Sequence, residues 1–309
     1  MNAPTRLAAF GLGLVAVFGA ALGTGRLAGP AAGEAAAGRD AGHSASAAAS
    51  ARPAPDVPGG LQVSDRGYQL QLAAATAAAG RSVLAFRVLG RDGRAVTAYE
   101  VTHERELHLI VVQRDLSGYR HLHPSRDAEG TWTAPVELRP GAYRVFADFQ
   151  AAGEAEALTL GADLTVPGSV RPGPLPEPAR DSTVDGYTVT LDGALTPGAT
   201  SRLSFAVGAR GGPVTDLEPY LGAAGHLVAL RAGDLAYLHV HPAGDGLTFD
   251  VEVPSAGTYR LYLEFRHGGV VRTAEFTVVA AGGAAAPAPA PAPASSPTGA
   301  GHGDDGHGD

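Results

Sequence analysis

The feature that most constrains the fold of this chain is a histidine-bearing segment that occurs twice. The segment from His226 to Pro242 carries histidines at steps of 13 and then 2 residues, and the segment from His108 to Pro124 repeats both steps. Each segment reads as two short strands rich in apolar residues, joined by a turn. The repetition predicts that one β domain is present in two copies.

Further matching motifs occur in the same order in both halves of the chain. The offset between them drifts from 119 to 112 residues, which places the length differences in loops. A tandem duplication explains this order. The matched pairs include Gly67-Tyr68 with Gly186-Tyr187, Phe86 with Phe205, Tyr143 with Tyr259, and Leu164-Thr165-Val166 with Phe276-Thr277-Val278.

Short runs of alternating polar and apolar residues between turn residues are typical of an all-β sandwich. We predict two tandem immunoglobulin-like β-sandwich domains, at 59–168 and 182–280. Tyr143 and Tyr259 lie where such domains have a tyrosine corner, in which the hydroxyl bonds back to the backbone. Because cysteine is absent, apolar burial alone must hold each core. The expected bulky core residues are Trp132, Phe146, Phe149, Phe249, Tyr262 and Phe265.

The amino-terminal segment indicates export. The run from Leu7 to Gly25 carries no charge and lies between Arg6 and Arg26, as in a signal peptide or a membrane anchor. We assign 1–28 to this element and 29–58 to a disordered Ala/Gly/Pro tether. The mature protein is therefore expected outside the cytoplasm, either secreted or anchored to the cell membrane and facing outward.

Two other segments lack the pattern of a folded domain. Residues 169–181 form a proline-rich linker between the copies, and residues 281–309 form a Pro/Ala-rich and His/Asp-rich disordered tail. The tail contains His302 and His307 among aspartates. It is either a weak metal scavenger or a solvated acidic tail.

Composition excludes several classes of function. The net charge of −8, without a basic cluster, argues against a nucleic-acid partner. The absence of cysteine excludes a cysteine nucleophile, a thiolate metal ligand and a blue-copper site. Met1 is the only methionine, so thioether binding of Cu(I) is excluded as well.

The histidine spacing suggests a metal site in each copy. His239 and His241 are two residues apart on a strand and so share a face. A hairpin register that places His226 opposite His239 would add a third imidazole to that face. Three such imidazoles can bind Cu(II) or Zn(II), and a slip of one residue would separate them. The first copy repeats this arrangement with His108, His121 and His123.

His267 is a candidate fourth ligand in the second copy, which would make that copy the better site. It belongs to a predicted turn, Arg266-His267-Gly268-Gly269. We therefore predict an exported, non-enzymatic binding protein that sequesters or buffers Cu(II) or Zn(II).

Two alternatives remain open. In the first alternative the histidines brace loops, because Pro124 and Pro242 end the strands that carry them. The protein is then a structural or interaction module. In the second alternative the protein is a zinc metalloenzyme, because a His-x-His strand beside a third histidine is similar to the zinc site of carbonic anhydrases. No evident general base accompanies the histidines, which favours binding over catalysis.

The same motifs carry a family resemblance. The segments 220–226, 235–242 and 267–276, with 108–124 and 160–166 in the first copy, resemble an uncharacterised family of exported actinobacterial proteins. More distantly, the domains are similar to small exported sandwiches of the YtkA/FixH and copper-resistance CopC kind. The resemblance implies an envelope location and heavy-metal handling, and it implies no reaction.

Overall fold

The computed structural model describes residues 57–282, and these form an all-β structure of two tandem domains with no helix in that range. Because no helix occurs there, none of the described residues forms a helix long and apolar enough to cross a membrane. The predicted signal or anchor segment, most of the tether and nearly all of the tail lie outside the described residues.

The first repeat contains nine strands in two antiparallel sheets. One sheet has the order β1-β2-β3-β7-β6 and the other the order β5-β4-β8-β9. The strands are β1 Ser64–Asp65, β2 Tyr68–Leu72, β3 Gly80–Leu89, β4 Leu107–Gln113, β5 Arg120–Leu122, β6 Ser125–Arg126, β7 Trp132–Leu138, β8 Gly141–Phe149 and β9 Leu158–Val166.

The second repeat also has nine strands. One sheet has the order β10-β11-β12-β16-β15, with β13 paired to β12, and the other the order β14-β17-β18. No strand occurs in 167–180, between the repeats. The strands are β10 Asp181–Val184, β11 Tyr187–Gly193, β12 Ala199–Ala209, β13 Gly212–Pro213, β14 Gly225–Arg231, β15 Val240–Pro242, β16 Thr248–Val253, β17 Gly257–His267 and β18 Val270–Ala280.

Each repeat has its own apolar core between its two sheets. The two predicted tyrosine corners are confirmed. The hydroxyl of Tyr143 donates to the carbonyl of Arg139 at 2.8 Å, and that of Tyr259 donates to the carbonyl of Ser255 at 2.7 Å. In both repeats this bond ties the start of a central strand to the loop before it, which is typical of immunoglobulin-like sandwiches.

A third apolar cluster joins the two repeats. Strand β4 is buried at all seven positions, which an antiparallel strand with one solvated face would not show. Its odd-numbered apolar residues enter the core of the first repeat, whereas Ile110 and Val112 pack against Val228 and Leu230 of β14. The two sheets that contain β4 and β14 therefore pack on each other through their outer faces.

This packing corrects the assignment of two predicted core residues. Phe146 and Tyr262 are fully buried, but in the cluster between the repeats rather than inside either sandwich. Tyr262 stacks on Tyr119 of the first repeat with ring centroids 4.0 Å apart. Its hydroxyl donates to the carbonyl of Leu116 at 2.6 Å. One hydroxyl thus satisfies a turn carbonyl of the other repeat.

The hairpin registers differ by two residues from the predicted ones. His121 pairs with Ile110, so His108 lies level with His123 rather than with His121. In the second repeat Tyr237 bridges to Leu230. The turn residues Leu116 and Leu235 are buried in the cluster between the repeats, with positive φ of 65° and 61°. Burial of these leucines places the turn later along the chain. In the first repeat the two-residue shift keeps His108 and His121 on their predicted common face.

Candidate metal centre

His108 lies on the face of β4 that looks toward the second repeat. It is 1 % exposed and is paired across the sheet with Asp148 of β8. The second repeat has the same arrangement, in which His226 of β14 is paired with Glu264 of β17. Each repeat therefore brings one histidine and one carboxylate to the surface where the repeats meet.

In the first repeat the predicted triad comes together. Strand β5 pairs with β4, which keeps His121 beside the face that carries His108. One ring nitrogen from each of His108, His121 and His123 lies within 4.8 Å of the other two. This group could hold a metal ion, and it is the one group of three or more such ligands found in the described part of the chain.

In the second repeat the corresponding strand leaves the hairpin early. Strand β15 pairs with β16 in the opposite sheet, where His241 lies across from Asp250. His239 and His241 are exposed, with ring centroids 4.4 Å apart. His226 is instead grouped with imidazoles of the first repeat, and its ring centroid lies 4.8 Å from that of His121 and 5.5 Å from that of His108.

A chain of hydrogen bonds crosses the interface through the triad. The Nε2 of His108 lies 3.2 Å from the carbonyl oxygen of Thr102, and its Nδ1 lies 2.9 Å from Nε2 of His121. The Nδ1 of His121 lies 2.5 Å from Oε2 of Glu264, which is 4 % exposed. A carbonyl only accepts, so His108 donates from Nε2 and accepts at Nδ1. His121 then donates from Nε2 to His108, and its Nδ1 lies against the carboxylate of Glu264.

Three histidines of the cluster are held neutral. Burial, reinforced by the neighbouring His121, lowers the pKa of His108 to about 3 and that of His123 to about 4. The same two causes hold the pKa of His226 well below its usual range. A neutral imidazole is the form that binds a metal.

Two buried nitrogens of this cluster have no partner. The Nε2 atoms of His123 and His226 are inaccessible to solvent, and no described residue offers them a hydrogen bond. Buried polar atoms are nearly always satisfied, and an exception often marks a missing water or ion. Both atoms belong to rings next to His121.

His267 lies apart from this group. Its Nδ1 is 2.7 Å from the hydroxyl of Tyr187, and its Nε2 is 3.3 Å from Oδ1 of Asp216. Both ring nitrogens therefore have partners within the second repeat. This is the contact pattern of a bracing histidine.

Three residues of the region were not predicted from the sequence. His103 lies in a turn at a positive φ of 48°, with its ring centroid 5.9 Å from that of His226. Asp148 and Glu264 had a visible signal, because each is a lone carboxylate inside an apolar strand at equivalent positions of the two copies. Burial raises the pKa of Asp148, and His239 is among the groups that oppose this.

Comparison with solved structures gives distant likenesses. A Salmonella alpha-2-macroglobulin mutant is 14 % identical, with a TM-score of 0.25, over 73 % of this chain and 15 % of that one. An Escherichia coli alpha-2-macroglobulin activated by porcine elastase is 17 % identical, with a TM-score of 0.23, over 68 % and 20 %. The chain thus spans no more than a fifth of either protein. The FN1–FN3 domains of chicken CNTN1 are 12 % identical, with a TM-score of 0.19, over 72 % and 68 %.

No curated protein matches this chain. A protein-family description does match, and it does so twice, over residues 62–166 and 182–282. These segments together make up more than half of the chain and coincide with the two sandwiches. The chain therefore belongs to the family described as Domain of unknown function (DUF8832), and it carries two copies of that domain.

Proposed function

We propose that this protein is an exported, non-enzymatic metal-binding protein of the cell envelope, which takes up Cu(II) or Zn(II) at His108, His121 and His123. The observation that carries the proposal is the convergence of these three imidazoles within 4.8 Å. Imidazole nitrogen suits both metals. The proposed role is sequestration or buffering of a heavy metal, in line with the resemblance to exported copper-resistance sandwiches.

The surroundings of the triad support binding. Both hydrogen-bonded ligands are oriented by their other nitrogen, His108 by a backbone carbonyl and His121 by Glu264. Outer contacts of this kind fix the ring and the tautomer of a metal-binding histidine. The side chain of His121 has no exposed area, so a large substrate has no access to it, and this favours storage over catalysis.

The location rests on the sequence. The uncharged run from Leu7 to Gly25 supports export by a signal peptide or attachment by an anchor. Fractionation of the producing cells tests this proposal. Full-length chain with Met1 intact in the soluble cytoplasmic fraction would contradict it.

Metal analysis tests the binding itself. The protein should be purified without a histidine tag, in a full-length parent variant with His43, His302 and His307 replaced by Ala, because these histidines could bind metal independently. We expect about one Cu(II) or Zn(II) per chain by calorimetry at pH 7.5. A triple variant in which His108, His121 and His123 are Ala should give no heat above background.

One observation favours a second candidate function. The hydrogen-bond chain from Thr102 through His108 and His121 to Glu264 links the repeats without any metal. On this alternative the histidines stabilise an interaction module. If the parent binds no metal and the triple variant is less stable than the parent, the alternative is supported and the metal proposal is overturned.

A further inference from the structure

We infer that the ion is held between the two repeats, with His226 of the second repeat as its fourth imidazole and Glu264 as the residue that positions His121. This inference rests on the proposed metal binding and goes beyond the triad. It makes the tandem pair, rather than the single repeat, the unit that binds metal.

The first support is that several ring nitrogens of the cluster have no partner outside it. The Nδ1 of His108 and the Nε2 of His121 face each other at 2.9 Å and share one proton. The Nε2 atoms of His123 and His226 are buried without a partner among the described residues. Four imidazole nitrogens of this cluster therefore have no partner, among the described residues, outside the four rings.

The second support is spacing. Zinc–nitrogen bonds of 2.0–2.1 Å in a tetrahedron place neighbouring nitrogens about 3.3 Å apart and ring centres about 5 Å apart. The ring centroid of His226 lies 4.8 Å from that of His121 and 5.5 Å from that of His108. The ring centroid of His123 lies 4.8 Å and 5.4 Å from the same two rings. The ring of His226 thus stands as close to the rings of His108 and His121 as that of His123 does, although its nitrogens lie outside the 4.8 Å grouping of the triad.

The third support is the difference between the two hairpins. In the second repeat, β15 pairs with β16 and takes His239 and His241 toward the opposite sheet. This leaves His226 without its own His-x-His pair and beside that of the first repeat. The duplication therefore yields one shared site where the sequence suggests two.

Glu264 is the second residue that the second repeat contributes, and it positions His121. Its carboxylate accepts from Nδ1 of His121 at 2.5 Å, which leaves Nε2 of that ring directed toward His108. A carboxylate in this position fixes the ligand and increases its basicity. Four imidazoles fill a zinc tetrahedron, which is typical of a closed site and leaves no position for a reacting water.

The inference is tested in the full-length parent that lacks His43, His302 and His307. X-ray absorption of the parent with one equivalent of Zn²⁺ should show four imidazole ligands. By calorimetry, His226→Ala should weaken Zn²⁺ binding at least tenfold, and Glu264→Gln by about 10–100-fold. The matched control His241→Ala removes an exposed histidine outside the cluster and should leave the affinity within twofold.

The outcomes separate the two proposals. A parent that binds no Zn²⁺ or Cu²⁺ overturns the proposed function, and this inference with it. A parent that binds with only three imidazoles, or a folded His226→Ala variant that binds like His241→Ala, overturns this inference and leaves the triad in place. If His226→Ala does not fold, as judged by circular dichroism, the ligand count of the parent decides. A Glu264→Gln variant with lower stability but unchanged affinity would reduce Glu264 to a structural role.

Discussion

His121 of the first repeat and Glu264 of the second form a buried pair, with Nδ1 and Oε2 2.5 Å apart. Residues 143 positions apart in the chain thereby meet at the centre of the histidine cluster. Removing one partner leaves a buried polar group unsatisfied, at a cost of roughly 1–3 kcal/mol. Both repeats therefore contribute side chains to the histidine cluster.

Metal binding should release a proton. The Nδ1 of His108 and the Nε2 of His121 are hydrogen-bonded at 2.9 Å, so one of them carries a proton that a metal bound to both would displace. We expect about one proton per ion at pH 7.5. Calorimetry of Zn²⁺ binding in two buffers with different ionisation enthalpies measures it. Identical heats in both buffers would contradict the hydrogen bond between His108 and His121.

The metal-free protein should lose stability in acid because of its buried neutral histidines. The pKa of His108 is lowered to about 3 in the folded state, against about 6.5 when unfolded. Between these values the unfolded chain binds more protons, so stability is complete above about pH 6.5 and falls as the pH decreases. The slope is up to about 1.4 kcal/mol per pH unit for His108, and less for the more accessible His123.

Denaturant unfolding between pH 7 and pH 4.5 in the presence of a chelator checks this dependence. His108→Leu removes the group and should flatten the curve relative to the parent. Equal slopes in the two proteins would assign the acid sensitivity to other groups.

The bond between Tyr262 and Leu116 should stabilise the contact between the repeats. Tyr262→Phe keeps the ring that stacks on Tyr119 but leaves the carbonyl of Leu116 unsatisfied. We expect a loss of about 1–3 kcal/mol in the free energy of unfolding. Tyr220→Phe is the matched control, because no described residue forms a hydrogen bond with that hydroxyl, and it should change stability by less than about 0.5 kcal/mol. Equal effects of the two substitutions would show that the bond does not stabilise the interface.

The turn leucines should matter as core residues. Leu235 is 1 % exposed and packs in the cluster between the repeats. Leu235→Ala should therefore cost roughly 2–5 kcal/mol, as for other buried leucines. Val270, which is 48 % exposed, provides a control, because Val270→Ala should stay within about 0.5 kcal/mol. A small effect at Leu235 would show that the turn is not fixed by burial.

The sequence by itself determined the duplication, the two sandwiches and the face that His108 and His121 share. These features depend on local information: the two-residue period of strands, turn residues, and tyrosines just inside two central strands. The match of Asp148 with Glu264 was also visible, since a lone carboxylate in an apolar strand is costly unless it has a partner.

Only the tertiary structure decided where the sites are. The hairpin register depends on Leu116 and Leu235, which are buried against the opposite repeat, and two registers of the same parity fit the local pattern equally well. The pairing of β15 with β16 separates His239 and His241 from His226. The resulting cluster joins side chains more than a hundred residues apart, and such contacts are set by the packing of one sheet on another, which spacing along the chain does not encode.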